Sequence, residues 1–313
     1  MATPAPLAPI ILFTYNRPEH TRITLEYLSR CDLADRSRLY VFCDGARNDA
    51  SAEMRRKIDE VKRVLASGAW AGEMTVESSD TNKGLYRNVT EGVDRVIREH
   101  GRCIVLEDDL KIGRHFLRFM NTALDTYEHE PVIKQVSGFL FPADIPRRHS
   151  ALFMPLSNTI GWGTWRRAWE EVDLGAPGHD ALRTDPALRH RFNLNGAYDY
   201  ATMLERQMAS ERFGSWGVVY WWSVFRKNGW VVYPDYSLIQ HNDFDHSGVH
   251  ASDDSHYNHA VWDEDYAIDR FPPVADGVNE PELAAVCAHI RRRNSMSLKN
   301  VLIKVKSLLG GSA

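Results

Sequence analysis

The chain has 313 residues, of which 43% are hydrophobic and 26% charged, with a formal net charge of −4 at pH 7. This is an ordinary globular composition, long enough for a full core or a core plus a subdomain. The mild acidity excludes the global basic field of a nucleic-acid binder. No stretch is long and apolar enough to span a bilayer. The opening Met1-Ala2-Thr3-Pro4-Ala5-Pro6 lacks the charged and long apolar regions of a signal peptide. Cys31, Cys43, Cys103 and Cys287 show no paired metal-ligand spacing, and a reduced, cytosolic protein is expected.

Pro9 to Thr14 (PIILFT) is a compact apolar run and reads as a first buried strand. Tyr15-Asn16-Arg17 follows as a loop, and Pro18 suits the first position of a helix whose buried face would carry Ile23, Tyr27 and Leu28. Arg17 then stands at a strand-to-helix junction, either as a surface arginine or within reach of a phosphate. Leu39 to Cys43 is a second strand, ended by Asp44-Gly45. Asp44 reads either as a turn residue or as a group for a base or ribose edge. A helix follows with Met54, Ile58, Val61 and Leu65 at helical spacing, then a short strand from Met74 to Glu77. Asn82 and Lys83 precede a helix with Leu85, Val89, Val93 and Val96 on one face. That junction suits an anion, or is simply a polar turn with a glycine.

The functional reading turns on Cys103-Ile104-Val105-Leu106-Glu107-Asp108-Asp109-Leu110. The apolar part reads as a buried strand of a parallel sheet. The acids fall at its carboxyl end, where open α/β sheets bind ligands. Three crowded carboxylates repel one another unless a cation joins them, and a hard divalent ion prefers oxygen ligands. The competing reading is a solvated turn whose acids favour a following helix N-terminus. A helix from about Arg114 to Tyr127 and a strand from Ile133 to Ser137 complete a β-α-β-α-β-α-β-α-β order. That order is the signature of a mostly parallel, doubly wound sheet.

Beyond Phe141 the chain is rich in tryptophan: Trp162, Trp165, Trp169, Trp216, Trp221, Trp222 and Trp230. Such rings suit sugar stacking as well as core packing, and most of them read as core. Ile160-Gly161-Trp162-Gly163-Thr164-Trp165 alternates small and large residues and suggests a close backbone approach. Ala197 to Met208 reads as a helix carrying Tyr198-Asp199-Tyr200, Trp216 to Phe225 as another, and Trp230–Tyr233 and Tyr236–Gln240 as strands. His241-Asn242-Asp243-Phe244-Asp245-His246-Ser247-Gly248-Val249-His250, with His256 and His259 further on, has the ligand types for a metal but no fixed zinc spacing. A solvated loop with one histidine reaching the acidic strand tip is expected. From Arg291 onward six cations (Arg291, Arg292, Arg293, Lys299, Lys304, Lys306) occur with no acid after Glu282. Leu298, Val301, Leu302, Val305, Leu308 and Leu309 align on one helical face, as in a basic amphipathic helix on an anionic membrane surface. An ordinary docked helix is the alternative.

Together, Ile11-Leu12-Phe13-Thr14-Tyr15-Asn16-Arg17, Cys43-Asp44-Gly45, Asn82-Lys83-Gly84-Leu85, Leu106-Glu107-Asp108-Asp109-Leu110, Gly161-Trp162-Gly163-Thr164-Trp165 and Phe244-Asp245-His246-Ser247-Gly248-Val249-His250 resemble one family. It is the nucleotide-sugar glycosyltransferases of GT-A type, in the branch of N-acetylglucosaminyltransferase I and its bacterial relatives. The resemblance covers roughly Pro9 to His250. It implies a Rossmann-like mixed, mostly parallel sheet flanked by helices, with an aromatic-rich acceptor-side C-terminal half. Residues 1–140 would form the donor half, 141–286 the acceptor half of the same domain, and 287–313 the basic helix. By that resemblance Asp109 would hold Mn²⁺ or Mg²⁺ on the donor diphosphate, with His250 (or His246) closing on it. Asp108 would touch the ribose or the metal's water shell, and Glu107 the donor sugar. Thr14, Arg17, Asp44, Asn82 and Lys83 would line the donor, a UDP-sugar foremost, and Trp162 and Trp216 the acceptor.

Members of this branch invert the anomeric centre by direct displacement, which needs a carboxylate base. The family's base follows a tryptophan before the strand at Trp230–Tyr233, and here that place holds Trp216-Gly217. Glycine cannot be a base. Asp199 is the nearest replacement, with Glu205 and Glu211 behind it, although Asp199 equally suits a helix N-terminus. The acceptor would be a glycan or lipid-linked glycan precursor at the inner membrane face. Two other readings compete. A sugar-nucleotide pyrophosphorylase would need a Gly-rich phosphate loop where Tyr15-Asn16-Arg17-Pro18 stands. A non-catalytic nucleotide- or carbohydrate-binding protein would account for Gly217.

Overall fold

The structure, a computed structural model, describes residues 6–210, 215–242, 259 and 261–309, with 295–309 described by their backbone alone. Strands β1 (Ile10–Thr14), β2 (Arg38–Cys43), β3 (Glu73–Ser78) and β4 (Arg102–Glu107) alternate with helices α1 (Pro18–Arg30), α2 (Ala52–Ala66) and α3 (Leu85–His100). After β4 come a short strand β5 (Leu110–Ile112), helix α4 (Phe116–Thr126), and strands β6 (Ile133–Ser137), β7 (Ala151–Met154) and β8 (Trp162–Trp165). Short helices α5 (Arg166–Trp169), α6 (Ala181–Thr184) and α7 (Pro186–Phe192) lead to α8 (Tyr200–Ala209) and α9 (Trp216–Arg226). Strands β9 (Trp230–Pro234) and β10 (Ile239–His241) follow, and the chain closes in α10 (Glu280–Leu309). No helix of the described residues is long and apolar enough to cross a membrane.

The eight-stranded sheet has the order β3-β2-β1-β4-β8-β6-β9-β7. β3, β2, β1 and β4 run parallel. β8 and β7 are reversed against their neighbours, and the other strands share one direction. The fold is therefore α/β, with a mixed, mostly parallel sheet flanked by helices.

Alternation along the central strands feeds two cores. Ile10 and Leu12 of β1, Leu39 and Val41 of β2, and Ile104 and Leu106 of β4 pack against α1, α2 and α4. Ile11, Phe13, Tyr40, Phe42, Cys103 and Val105 face α3 and α9. With both faces covered, every other residue is apolar on each side, which gives the continuous apolar runs of the sequence.

Several expectations change. β7, β5 and the reversed strand β8 are absent from the simple alternating order. The segment 160–165 is β8, wedged antiparallel between β4 and β6. The close approach foreseen there is present: a Cβ on Gly163 would lie 3.0 Å from the Cys103 carbonyl oxygen. The buried face of α1 is His20, Thr21, Thr24, Leu25 and Leu28, while Ile23 and Tyr27 are only partly buried. α8 starts at Tyr200 rather than Ala197, because Asp199 caps it. The last helix begins at Glu280 and docks through Val286, Cys287 and Ile290, with Arg291 donating to the Asn195 carbonyl at 2.8 Å.

Candidate active site

The acidic run is divided by a turn. Glu107 ends β4 opposite Phe13 of β1, Asp108 and Asp109 form the turn, and Leu110 opens β5. β5 pairs antiparallel with β10, and the Asn242 N–H donates to the Asp109 carbonyl at 2.7 Å. One face of α1 holds the other side of the turn. Arg17 Nη1 lies 2.8 Å from Asp109 Oδ2 and 3.8 Å from Asp108 Oδ1. Thr21 Oγ1 lies 2.8 Å from the Arg17 carbonyl oxygen and 3.4 Å from Asp108 Oδ2, so the shorter contact takes most of its single proton. Thr24 Oγ1 accepts the Leu110 N–H at 3.1 Å.

The electrostatics are those of crowded acids with a nearby guanidinium. Burial pushes the Glu107 carboxyl up to about 8, the charges of Asp109 and Asp108 add to the rise, and Arg17 opposes it. Burial and then Asp109 raise Asp108 to about 7, against Arg17, the Tyr15 backbone N–H and Thr21. Among the described residues no group of three or more His, Cys, Asp or Glu side chains converges as a metal cage. The donor set fits a different mode, in which a hard cation takes one or two carboxylates and completes its shell with substrate phosphates and water.

The neighbouring strand tips have their own arrangement. Asp44, buried at the end of β2, accepts from Gly45 N (2.9 Å) and Lys83 N (2.8 Å) on one oxygen. Its other oxygen accepts from Asn82 Nδ2 and Gly84 N, both at 2.9 Å. Four N–H donors meet the carboxylate, so Asp44 and Asn82 shape the loop before α3. The Lys83 ammonium pairs with Glu91 at 2.9 Å. Thr14, at the end of β1, is buried, and its hydroxyl has no hydrogen-bond partner among the described residues.

Of the residues expected around an acceptor, Trp162 lies on β8 opposite Val105 of β4. Trp162 and Trp216 are 1% and 4% exposed, with ring centroids 5.5 Å apart, and both pack on Tyr220. Both rings belong to the core cluster. Asp199 accepts the Thr202 N–H at 3.2 Å, and Asn193 Nδ2 and Arg189 Nη2 lie at 3.1 and 3.3 Å. Burial raises its carboxyl, but these hydrogen bonds and the Arg189 charge outweigh that and hold it below the usual range. No contact of the described residues joins it to the acidic turn. Glu205 pairs with Arg189 at 2.8 Å. A Cβ added at Gly217 would stand 3.1 Å from Thr159 Oγ1, a tight contact with a side chain. His250, His246 and Glu211 lie outside the described residues. Of the His- and Asp-rich run, His241 lies edge-on to Phe139, and burial pushes the His259 imidazole down to about 4.

Thr21, Thr24 and Asn242 are the site residues that sequence reasoning missed. The threonines carried a signal: Arg17, Thr21 and Thr24 fall at i, i+4 and i+7, one face of a helix. Nothing local marked Asn242.

No family model matches the chain, and no curated protein matches it. Solved structures overlap it in part. The mannosyltransferase PcManGT from Pyrobaculum calidifontis, in complex with GDP-Man and Mn²⁺, is 13% identical over 72% of this chain and 75% of its own, with a TM-score of 0.35. The 4-diphosphocytidyl-2C-methyl-D-erythritol synthase from Anaerococcus prevotii is 12% identical over 75% and 93%, with a TM-score of 0.37. TarS from S. aureus is 16% identical over 38% of this chain, which spans 20% of TarS, with a TM-score of 0.28. Overlaps of this size define no family, and the fold rests on its own strand order.

Proposed function

We propose that the chain is a GT-A-type glycosyltransferase that binds a nucleotide-sugar with a divalent cation, in the branch of N-acetylglucosaminyltransferase I-like enzymes. The observation that carries the reading is the acidic turn. Glu107, Asp108 and Asp109 crowd the tip of a strand at the sheet's interior, beside Arg17 and facing the ends of β1 and β2. In this reading Asp109 holds Mn²⁺ or Mg²⁺, Asp108 meets the ribose or the metal's water, and Glu107 the donor sugar. The bound cation would stabilise negative charge developing on the departing diphosphate. Arg17 supplies a planar guanidinium suited to phosphate oxygens, and in this reading Thr14 and Lys83 would line the donor. Transfer is inverting in this proposal, with Asp199 as the candidate base. Asp199 would have to leave its cap to take a proton, and its lowered carboxyl makes it a weaker base.

The second reading is a nucleotide- or carbohydrate-binding protein without catalysis. Gly217, which leaves no carboxylate at the place where the resemblance expects the base, favours it. A lipid-linked acceptor is proposed from the one-sided charge of residues 287–313. Unchanged sedimentation with anionic liposomes after deletion beyond Arg293 would remove that part.

The test is thermal stabilisation by UDP, GDP, TDP and CMP, each with and without Mn²⁺, on wild type and Asp109→Asn. A ligand that binds only the native state raises its stability by mass action. A metal-dependent rise with one nucleotide, lost in the variant, is the expected outcome. No rise with any of them sinks the reading. Nucleotide binding without release of sugar from any matching donor favours the second.

A further inference from the structure

We infer that the last helix works as a lever: Arg291 and Asn294 of α10 hold a left-handed turn between α7 and α8, so that seating the basic end of α10 on an anionic lipid surface stiffens that turn and the Asp199 cap that follows it. This rests on the membrane reading of residues 287–313 proposed above and gives it a consequence inside the domain.

The turn has an uncommon backbone. Leu194, Asn195 and Gly196 have φ of 51°, 53° and 77°. Left-handed residues normally occur singly, since Cβ crowds the following carbonyl oxygen. A run of three persists where its surroundings over-determine it. Within the segment, the Ala197 N–H donates to the Leu194 carbonyl at 3.1 Å and the Tyr198 N–H to the Asn193 carbonyl at 3.2 Å. Asn193 Oδ1 accepts the Ala201 N–H at 2.8 Å, and its Nδ2 donates to Asp199 at 3.1 Å. Two further carbonyls are met by α10, 96 and 97 residues away in sequence. Arg291 Nη2 donates to the Asn195 carbonyl at 2.8 Å, and Asn294 Nδ2 to the Ala197 carbonyl at 2.9 Å. Leu194, Ala197, Ala201, Val286 and Ile290 belong to one buried cluster, so the same core backs both sides of this clamp.

α10 continues as one helix from the clamp to Leu309. Residues 295–309 extend it by about 22 Å at 1.5 Å per residue. Lys299, Lys304 and Lys306 fall in this extension, and no acid follows Glu282. An anionic bilayer attracts such cations and receives an apolar helical face. Helix formation is cooperative, so a helix stabilised at one end is stabilised along its length. Asn294 directly precedes the extension, and Arg291 lies one turn before it. Their hold on the turn tightens when the extension is seated, and the turn and the start of α8 open less often.

The test is hydrogen exchange of the full chain at the Ala197, Tyr198, Ala201 and Thr202 amides. It is measured without vesicles, with phosphatidylglycerol–phosphatidylcholine vesicles and with pure phosphatidylcholine vesicles, and sedimentation of the same samples reports vesicle binding. Wild type is compared with the double variant Arg291→Ala/Asn294→Ala and with Ser297→Pro, which breaks the helix between the clamp and the lysines. Wild type is expected to exchange these amides several-fold more slowly on the anionic vesicles and to be unchanged by the neutral ones. The double variant should exchange them several-fold faster than wild type without vesicles, and should bind anionic vesicles without slowing. Ser297→Pro should also bind, with the turn unresponsive. Wild-type exchange in the double variant, or a wild-type response in Ser297→Pro, would overturn the inference. Vesicle binding by wild type that leaves the turn unchanged would do the same. If the double variant does not fold, Asn294→Ala alone carries the measurement. Failure of wild type to sediment with anionic vesicles sinks the membrane reading and the lever with it, and leaves the nucleotide-sugar reading standing.

Discussion

Thr24, in the middle of α1, accepts the backbone N–H of Leu110 at 3.1 Å, so a helix from the start of the chain fixes where the acidic turn gives way to β5. Both residues are buried. Replacing Thr24 with valine keeps the shape and strands that N–H, at a cost of about 1–3 kcal/mol. Chemical denaturation should show this loss for Thr24→Val and little of it for Thr24→Ser. Equal stability of all three proteins would mean that another acceptor takes the amide.

Asp44 organises the loop before α3 through four N–H donors. Asp44→Ala takes an acceptor from the Gly45, Lys83 and Gly84 amides, while Asn82 Nδ2 keeps the Gly45 carbonyl at 3.0 Å, and is expected to cost about 3 kcal/mol. Hydrogen exchange should report it locally, with the Lys83 and Gly84 amides losing protection before the strands do. Uniform loss across the sheet would contradict a local role.

The acidic turn makes stability depend on pH. Glu107 and Asp108 have folded-state pKa values raised to about 8 and about 7, by burial first and then by neighbouring acids. The folded protein therefore binds more protons than the unfolded chain across that range, from the ordinary carboxyl range up to about pH 8. Stability falls as pH rises through it. The melting temperature should be lower at about pH 8.5 than at about pH 5.5, and Asp108→Asn should flatten the slope. A slope unchanged by that substitution would place its origin elsewhere.

Asp199 can be tested in two roles with two substitutions. As the cap of α8 it is worth about 1 kcal/mol, lost in Asp199→Ala and largely kept in Asp199→Asn, because asparagine caps as well as aspartate. As a base it would be lost in both. Near-normal turnover of Asp199→Asn, with intact folding, would leave it as a cap alone.

Much of the fold is legible in the chain. β1, β2 and β4 carry apolar runs because a sheet covered on both faces buries nearly all of their residues, and α2, α3 and α4 carry their buried residues at helical spacing. β8 is not legible in this way. Its tryptophans and glycines describe close packing, but its reversed place between β4 and β6 depends on strands far away in sequence. Trp162 and Trp216 look alike as sugar platforms or as core, and only their packing on each other and on Tyr220 separates the two.

The sequence by itself determined that three carboxylates end a buried strand and that Arg17 begins the first helix, because apolar runs and Pro18 are local signals. Tertiary structure alone decided that Arg17 meets Asp109 across 92 residues, that Asp44 spends its oxygens on the loop before α3, and that Asp199 caps α8. The reason is physical. Burial and periodicity act within one element, whereas the partner of a charge is chosen by whichever groups the sheet order brings within a few ångströms.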